Sequence, residues 1–332
     1  MTGTNTGRFR TTGARAAAGA AAGALAVLLA AGCSTAQDAE ESPSEANASD
    51  GTYPVTVETA FGEVTVEQTP ERVVALGFAP AEAALSLGVE PVSVAEDPDA
   101  LEQSVPWMAE EIADTADPGL LGADGEPNLE AIAAAEPDLI LAQTYQVADQ
   151  TAFDNLNAIA PTVLPATDAL NVDWDERLLK TAEALGRPTE AEELISQIRA
   201  EFTEIGATVP DIEERTYQWV RADADGYGFG NGSLFELFGL RPAENQDNTQ
   251  GSDPLSREHT ADLDADLLAV WAPSQEERQQ LDDDPLFQNL PAVEAGTVYY
   301  ADLAFANAIN SAGPMSLRWI AEELRPVVEE LG

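Results

Sequence analysis

The sequence predicts an α/β protein of two lobes joined by a helical connector, and three observations carry that expectation. Between residues 70 and 164 short apolar runs alternate with helical patterns, the rhythm of a parallel sheet covered by helices. From 174 to about 208 no strand pattern occurs. From about 215 the rhythm resumes, and it contains an echo of the first half. NLEAIAAAEPDLIL at 128–141 is matched by SREHTADLDADLLAV at 256–270. Asn128 and Ser256 stand as helix caps, with Glu130 and Glu258 in the first turn, where the helix dipole favours a carboxylate. Asp138 and Asp266 then lead into apolar runs of strand type.

The chain-level quantities agree with two lobes. A chain of 332 residues with 44% hydrophobic content can bury two domain-sized cores. Its net charge of −45 is spread along the chain, which argues against nucleic acid as a partner, because phosphate binding needs basic patches. Such an acidic surface suits salty surroundings, where the screening length falls to roughly 3 Å at 1 M. The single cysteine, Cys33, excludes an intrachain disulfide. Arg8, Arg10 and Arg15 precede a small apolar run at 16–31, and Ala30-Ala31-Gly32 stands before Cys33, the plan of a secretory signal. The run is short and rich in Ala and Gly for a spanning helix. Small residues before a cysteine resemble the lipobox of bacterial lipoproteins, although Leu29 lies one place earlier than usual. On that resemblance 1–32 is a signal peptide and Cys33 the lipidated anchor, placing the exported protein on the outer face of the cell membrane. Residues 33–52, poor in large apolar side chains, read as a disordered tether.

The elements follow in order. Alternation at 55–58 and 63–67 about Phe61-Gly62 predicts a β-hairpin. A strand at 73–76, a helix at 79–87 stopped by Gly88 and a strand at 91–95 come next. After a loop carrying Trp107, the first copy of the echo supplies a helix and the strand 139–141, followed by a helix at 153–159 and a strand at 161–164. The connector reads as a helix from Trp174, a break at Gly186-Arg187-Pro188, and a long amphipathic helix from Glu190. The second lobe predicts a strand at 217–221, a glycine-rich loop at 222–232, a helix at 233–238, the second copy of the echo, a strand at 297–301, a loop at 305–314 and a terminal helix at 315–331. The expected divisions are therefore 53–167, 168–209 and 210–332.

Six segments, TPERVVAL (69–76), LGVEPVSV (87–94), EPNLEAIAAAEPDLIL (126–141), GNGSLFELFGLRP (230–242), LSREHTADLDADLLAV (255–270) and AFANAINSAGPMSL (304–317), together resemble one family in its own order. It is the iron-siderophore-binding lipoproteins of ABC importers, which share their fold with vitamin B12-binding proteins. The resemblance implies a class III substrate-binding protein of the helical-backbone metal-receptor type: two three-layer α/β lobes, a long connecting helix and a ligand cleft between lobes. It implies a monomer with an ABC permease dimer and its ATPase as partners, and no enzymatic activity. It also implies that Glu130 and Glu258 dock onto arginine pockets of the permease, which suits exposed carboxylates at helix starts.

Ligands of open α/β sheets sit beyond the carboxyl ends of the strands. This places Phe78, Trp107 and Tyr145 at the cleft from the first lobe, and Arg221, Tyr227, Phe229, Phe305 and Asn310 from the second. Between 54 and 167 the only basic residue is Arg72, so cationic contacts are expected from the second lobe, Arg221 first and Arg318 second. So few cations disfavour a strongly anionic tricatecholate complex. A neutral or cationic ferric siderophore of hydroxamate type is expected, with a corrinoid or haem as the alternative. His259 is the lone histidine and has no partner pattern for a metal site. No cofactor or resident metal is expected, and no nucleophile–base pair emerges.

Overall fold

Buried valines at every second position, Val55, Val57, Val64 and Val66, lay one face of the opening hairpin against the first lobe. The computed structural model describes residues 51–167 and 172–332, which belong to one unit spanning 47–332. The signal segment, Cys33 and nearly all of the tether lie outside the described residues.

The first lobe contains β1 (Val55–Thr59), β2 (Gly62–Val66), β3 (Val73–Ala75), α1 (Phe78–Ser86), β4 (Ser93–Val94), α2 (Leu101–Ser104), α3 (Ala109–Ile112), α4 (Leu129–Ala134), β5 (Leu139–Leu141), α5 (Gln150–Asn157) and β6 (Thr162–Val163). Strands β4, β3, β5 and β6 form a parallel sheet in that order. Its central strands are buried throughout, as a sheet covered on both faces requires. Two helices follow, α6 (Trp174–Leu185) and α7 (Pro188–Gly206), broken where Gly186 takes the left-handed conformation expected at a helix end. They are rooted in different cores. Leu178, Ala182 and Leu185 of α6 pack into the first lobe, while Ile198, Phe202 and Ile205 of α7 pack into the second.

The second lobe contains β7 (Thr216–Ala222), β8 (Gly226–Phe229), β9 (Arg241–Pro242), β10 (Leu255–Ser256), β11 (Leu267–Trp271), α8 (Gln275–Asp283), α9 (Pro285–Gln288), α10 (Pro291–Ala295), β12 (Val298–Ala301), α11 (Leu303–Asn310) and α12 (Pro314–Glu329). Its sheet runs β10-β8-β7-β11-β12, with β9 beside the start of β7. The sequence expectation of a loop at 222–232 fails here. Asp223 Oδ1 accepts the amides of Asp225 and Gly226, closing a turn that folds β8 back antiparallel to β7. The loop expected at 305–314 is largely helix, because Asp302 Oδ1 accepts the Phe305 amide at 2.9 Å and caps α11.

The echoed motif has a structural meaning in its aspartates. The Asp138 carboxylate accepts the amides of Glu71 and Arg72, both at 2.8 Å, just before β3. Asp266 accepts the amide and hydroxyl of Thr216, each at 2.9 Å, and pairs with Arg215 at 3.2 Å, at the start of β7. In each lobe an aspartate at the head of one parallel strand fastens the head of its neighbour. The helix-start half of the echo holds only once. Asn128 Oδ1 caps α4 through the Ala131 amide at 3.3 Å, whereas Ser256 makes no side-chain cap and 257–262 is a 3₁₀ segment kinked at His259.

Candidate functional site

In the first lobe β3, β4 and β5 end side by side, and the residues that follow them interlock. Gly77 turns the chain out of β3 with φ +112°, and a side chain there would meet Gln143 Nε2 at 3.6 Å. Gln146 Nε2 donates to the Leu76 carbonyl at 2.7 Å, and Gln143 Nε2 donates to the Tyr145 hydroxyl at 2.9 Å. From the end of β4 the Glu96 carboxylate accepts the Phe78 amide at 3.0 Å. Burial raises the Glu96 carboxyl to about 6, with Asp97 adding to the rise and the Phe78 hydrogen bond opposing it. Tyr145 is 63% exposed, although its hydroxyl end is turned inward. Burial of that end raises its pKa, and the Glu96 charge acts in the same direction.

Behind this corner two charged residues tie the lobes together. Glu82 of α1 is fully buried. Its carboxylate accepts the Ser316 amide at the start of α12, at 2.5 Å, and the Trp107 indole N–H at 3.2 Å. A helix N-terminus favours a carboxylate, yet burial prevails and lifts the group to about 7. Arg177 of α6 is 9% exposed and donates to the carbonyls of Ala312 and Val172 at 3.2 and 3.0 Å. Neither residue was identified from the sequence. A lone acid in the apolar run PAEAALSL was the available signal for Glu82, whereas Arg177 is indistinguishable there from a surface charge of an amphipathic helix.

Two adjoining hollows lie at this junction. A small one of about 30 Å³ is bounded by Gln143, Tyr145, Val172, Arg177 and Ser311. A larger depression of about 330 Å³ shares Val172 and Asp173 with the connector side and takes Asn231, Ser233 and Asn310 from the second lobe. At its edge Arg199 of α7 pairs with Asp175 at 2.6 Å.

The residues expected at the cleft separate into two groups. Tyr145, Asn310 and Trp107 lie at or beside the junction, with Trp107 half-buried between Phe78 and Trp319 at ring distances of 6.0 and 5.4 Å. Arg221 is exposed and stacks over Trp271 at 5.4 Å, on the sheet face it shares with Tyr217 and Trp219. It pairs in register with Gly228, where an added Cβ would meet nothing within 4 Å, so this end of the face is uncovered. Four positions need correction. Tyr227 and Phe229 pair with Ala222 and Val220 on the opposite face, where Tyr227 is fully buried and its hydroxyl hydrogen-bonds the Thr260 hydroxyl at 3.3 Å. Strand alternation sends both side chains away from the junction. Phe305 is fully buried against Trp219 and Tyr299 in the second core. Arg318 points outward from α12 and is held bidentately by Glu201 of α7, at 2.9–3.2 Å.

Glu130 and Glu258 are both exposed, each near the end of its sheet from which the strands' carboxyl termini emerge. Arg257 is drawn inward, bonding the carbonyls of Asp223 and Ala224 and stacking over Tyr227 at 5.6 Å. His259 is exposed, beside Asp262 at 3.4 Å. Among the described residues no group of three or more His, Cys, Asp or Glu could hold a metal ion, and no helix is long and apolar enough to cross a membrane.

Two α/β lobes, helices rooted in both cores and adjoining hollows at the junction define a two-lobed binding protein. A model of the periplasmic binding protein family matches residues 73–304, and the chain belongs to that family, whose members bind substrates and are not enzymes. The chain is 29% identical over 287 residues to the Fe(3+)-citrate-binding protein YfmC of Bacillus subtilis, covering 84% of this chain and 86% of that one. It is 27% identical to the probable siderophore-binding lipoprotein YfiY of the same organism, over 84% of this chain and 88% of that one. Among solved structures it is similar to a periplasmic solute binding protein from Mycobacterium smegmatis, with a TM-score of 0.71 and 26% identity, over 84% of this chain and 99% of that chain.

Proposed function

We propose that this protein is the extracytoplasmic receptor of an ABC importer, a class III substrate-binding protein that captures a ferric siderophore between its lobes and delivers it to a permease dimer. The observation that carries the reading is Tyr145: an aromatic ring left 63% open to solvent at the ends of the first-lobe strands, with its hydroxyl fixed by Gln143. A ring so exposed yet held in place is suited to a ligand face. Relatives named for ferric citrate and for a siderophore support iron complexes over a corrinoid or haem. Arg221, Asn310 and Trp107 remain as further ligand contacts. The scarcity of cations in the first lobe, where Arg72 is the only basic residue between 54 and 167, supports a neutral or cationic complex of hydroxamate type. Cys33 is proposed as the lipid anchor, and Glu130 with Glu258 as the two permease contacts. Titrating the tryptophan fluorescence with a ferric trihydroxamate, a ferric tricatecholate, ferric citrate, cobalamin and haem tests the reading. The trihydroxamate should quench most tightly, and binding of cobalamin or haem alone would overturn it. Reversing charge at both Glu130 and Glu258 should abolish uptake and leave affinity unchanged.

A further inference from the structure

The ends of β3, β4 and β5 bring together a half-exposed carboxylate and an exposed aromatic ring. Glu96 spends one oxygen on the Phe78 amide, which fixes its carboxylate at the start of α1. Its charge reaches the inward end of Tyr145. Asp97, next in sequence, is exposed. Arg177, whose charge also reaches Tyr145, is buried behind the corner and faced by Glu82, so Glu96 and Asp97 leave more negative than positive charge there. A carboxylate near an exposed aromatic ring attracts an ammonium group by ion pairing and by cation–π attraction together, and repels an anion.

We propose that Glu96, with Tyr145, recognises a cationic substituent on the bound ferric complex, so that the receptor selects siderophores carrying a free amine. This rests on the siderophore reading and deepens it. The carboxylate supplies the charge, Tyr145 supplies an open ring held rigid through Gln143, and the ferric centre itself occupies the adjoining junction. Recognition is non-covalent, and the amine remains protonated throughout.

Ferrioxamine B, a ferric trihydroxamate with one free ammonium, and its N-acetylated form differ in that charge and in one small acetyl group. Titration of the full-length protein with each, at low ionic strength and pH 7.5, should give roughly tenfold tighter binding of the amine, the size expected of one charge-assisted contact. Glu96→Gln should bring the two affinities together mainly by weakening the amine complex. Tyr145→Ala should weaken both. Equal affinities of the wild-type protein for the two complexes, or a preference that survives Glu96→Gln, overturns the inference and leaves the siderophore reading standing. Failure of both complexes to bind, with tight binding of ferric citrate, overturns the inference together with the hydroxamate reading.

Discussion

Replacing Glu82 by glutamine should change the pH dependence of stability in a way that can be worked from its surroundings. The carboxyl has an ordinary value of 4.5 and a folded value of about 7, because the side chain is fully buried. Its folded pKa lies above its unfolded one. The stabilisation is therefore fully present below about pH 4.5 and is lost as pH rises through 7. At about 1.4 kcal/mol per pH unit, the native state forfeits about 3 kcal/mol across that window. The glutamine amide keeps an oxygen for the Ser316 amide but turns an N–H₂ toward a donor, so one hydrogen bond is lost, at about 1 kcal/mol. Glu82→Gln should then be about as stable as the wild type at pH 5 and the more stable protein at pH 8, with the difference changing by about 2.5 kcal/mol between them. Urea unfolding of both proteins at pH 5, 6, 7 and 8, at constant ionic strength, measures this. The other carboxylates titrate alike in the two proteins and cancel. A constant offset at every pH would refute the assignment of a titrating carboxyl at the lobe junction.

The other predictions concern strand heads and the rejected cation. Asp266→Ala should cost about 2–3 kcal/mol in urea unfolding, since it strands the Thr216 amide and removes an ion pair. Asp266→Asn should recover part of that, because it keeps an acceptor oxygen. Arg318→Ala should leave ferric-siderophore affinity unchanged and cost no more than about 1 kcal/mol, as the Glu201 pair is largely open to solvent. A large loss of affinity in that variant would return Arg318 to the ligand surface.

Much of the fold was legible because its signals are local. Apolar runs between helical patterns located β3, β5, β7 and β11, and Gly186-Arg187-Pro188 marked the break between α6 and α7. Asn128 announced the start of α4, and its side chain makes the bond a cap requires. The glycine-rich segment 226–229 concealed β8 because glycine carries no strand pattern. Its pairing is decided by the turn at Asp223 and the edge of β7. Likewise Ser256 has the cap residue type, yet the chain beyond it folds as a kinked 3₁₀ segment.

The site divided along the same line. Sequence alone determined that cations are scarce in the first half, that acidity is distributed, and that Tyr145 follows a buried strand and so stands at its carboxyl end. Those properties depend on composition and on neighbours along the chain. Tertiary structure decided which aromatics face the junction: alternation and register turned Tyr227 and Phe229 to the opposite face of the sheet and packing buried Phe305. It also brought Glu82 to Ser316, 234 residues apart, and Arg177 to Ala312, 135 residues apart. Burial and charge depend on what lies across space, and no local pattern encodes which distant backbone a side chain will meet.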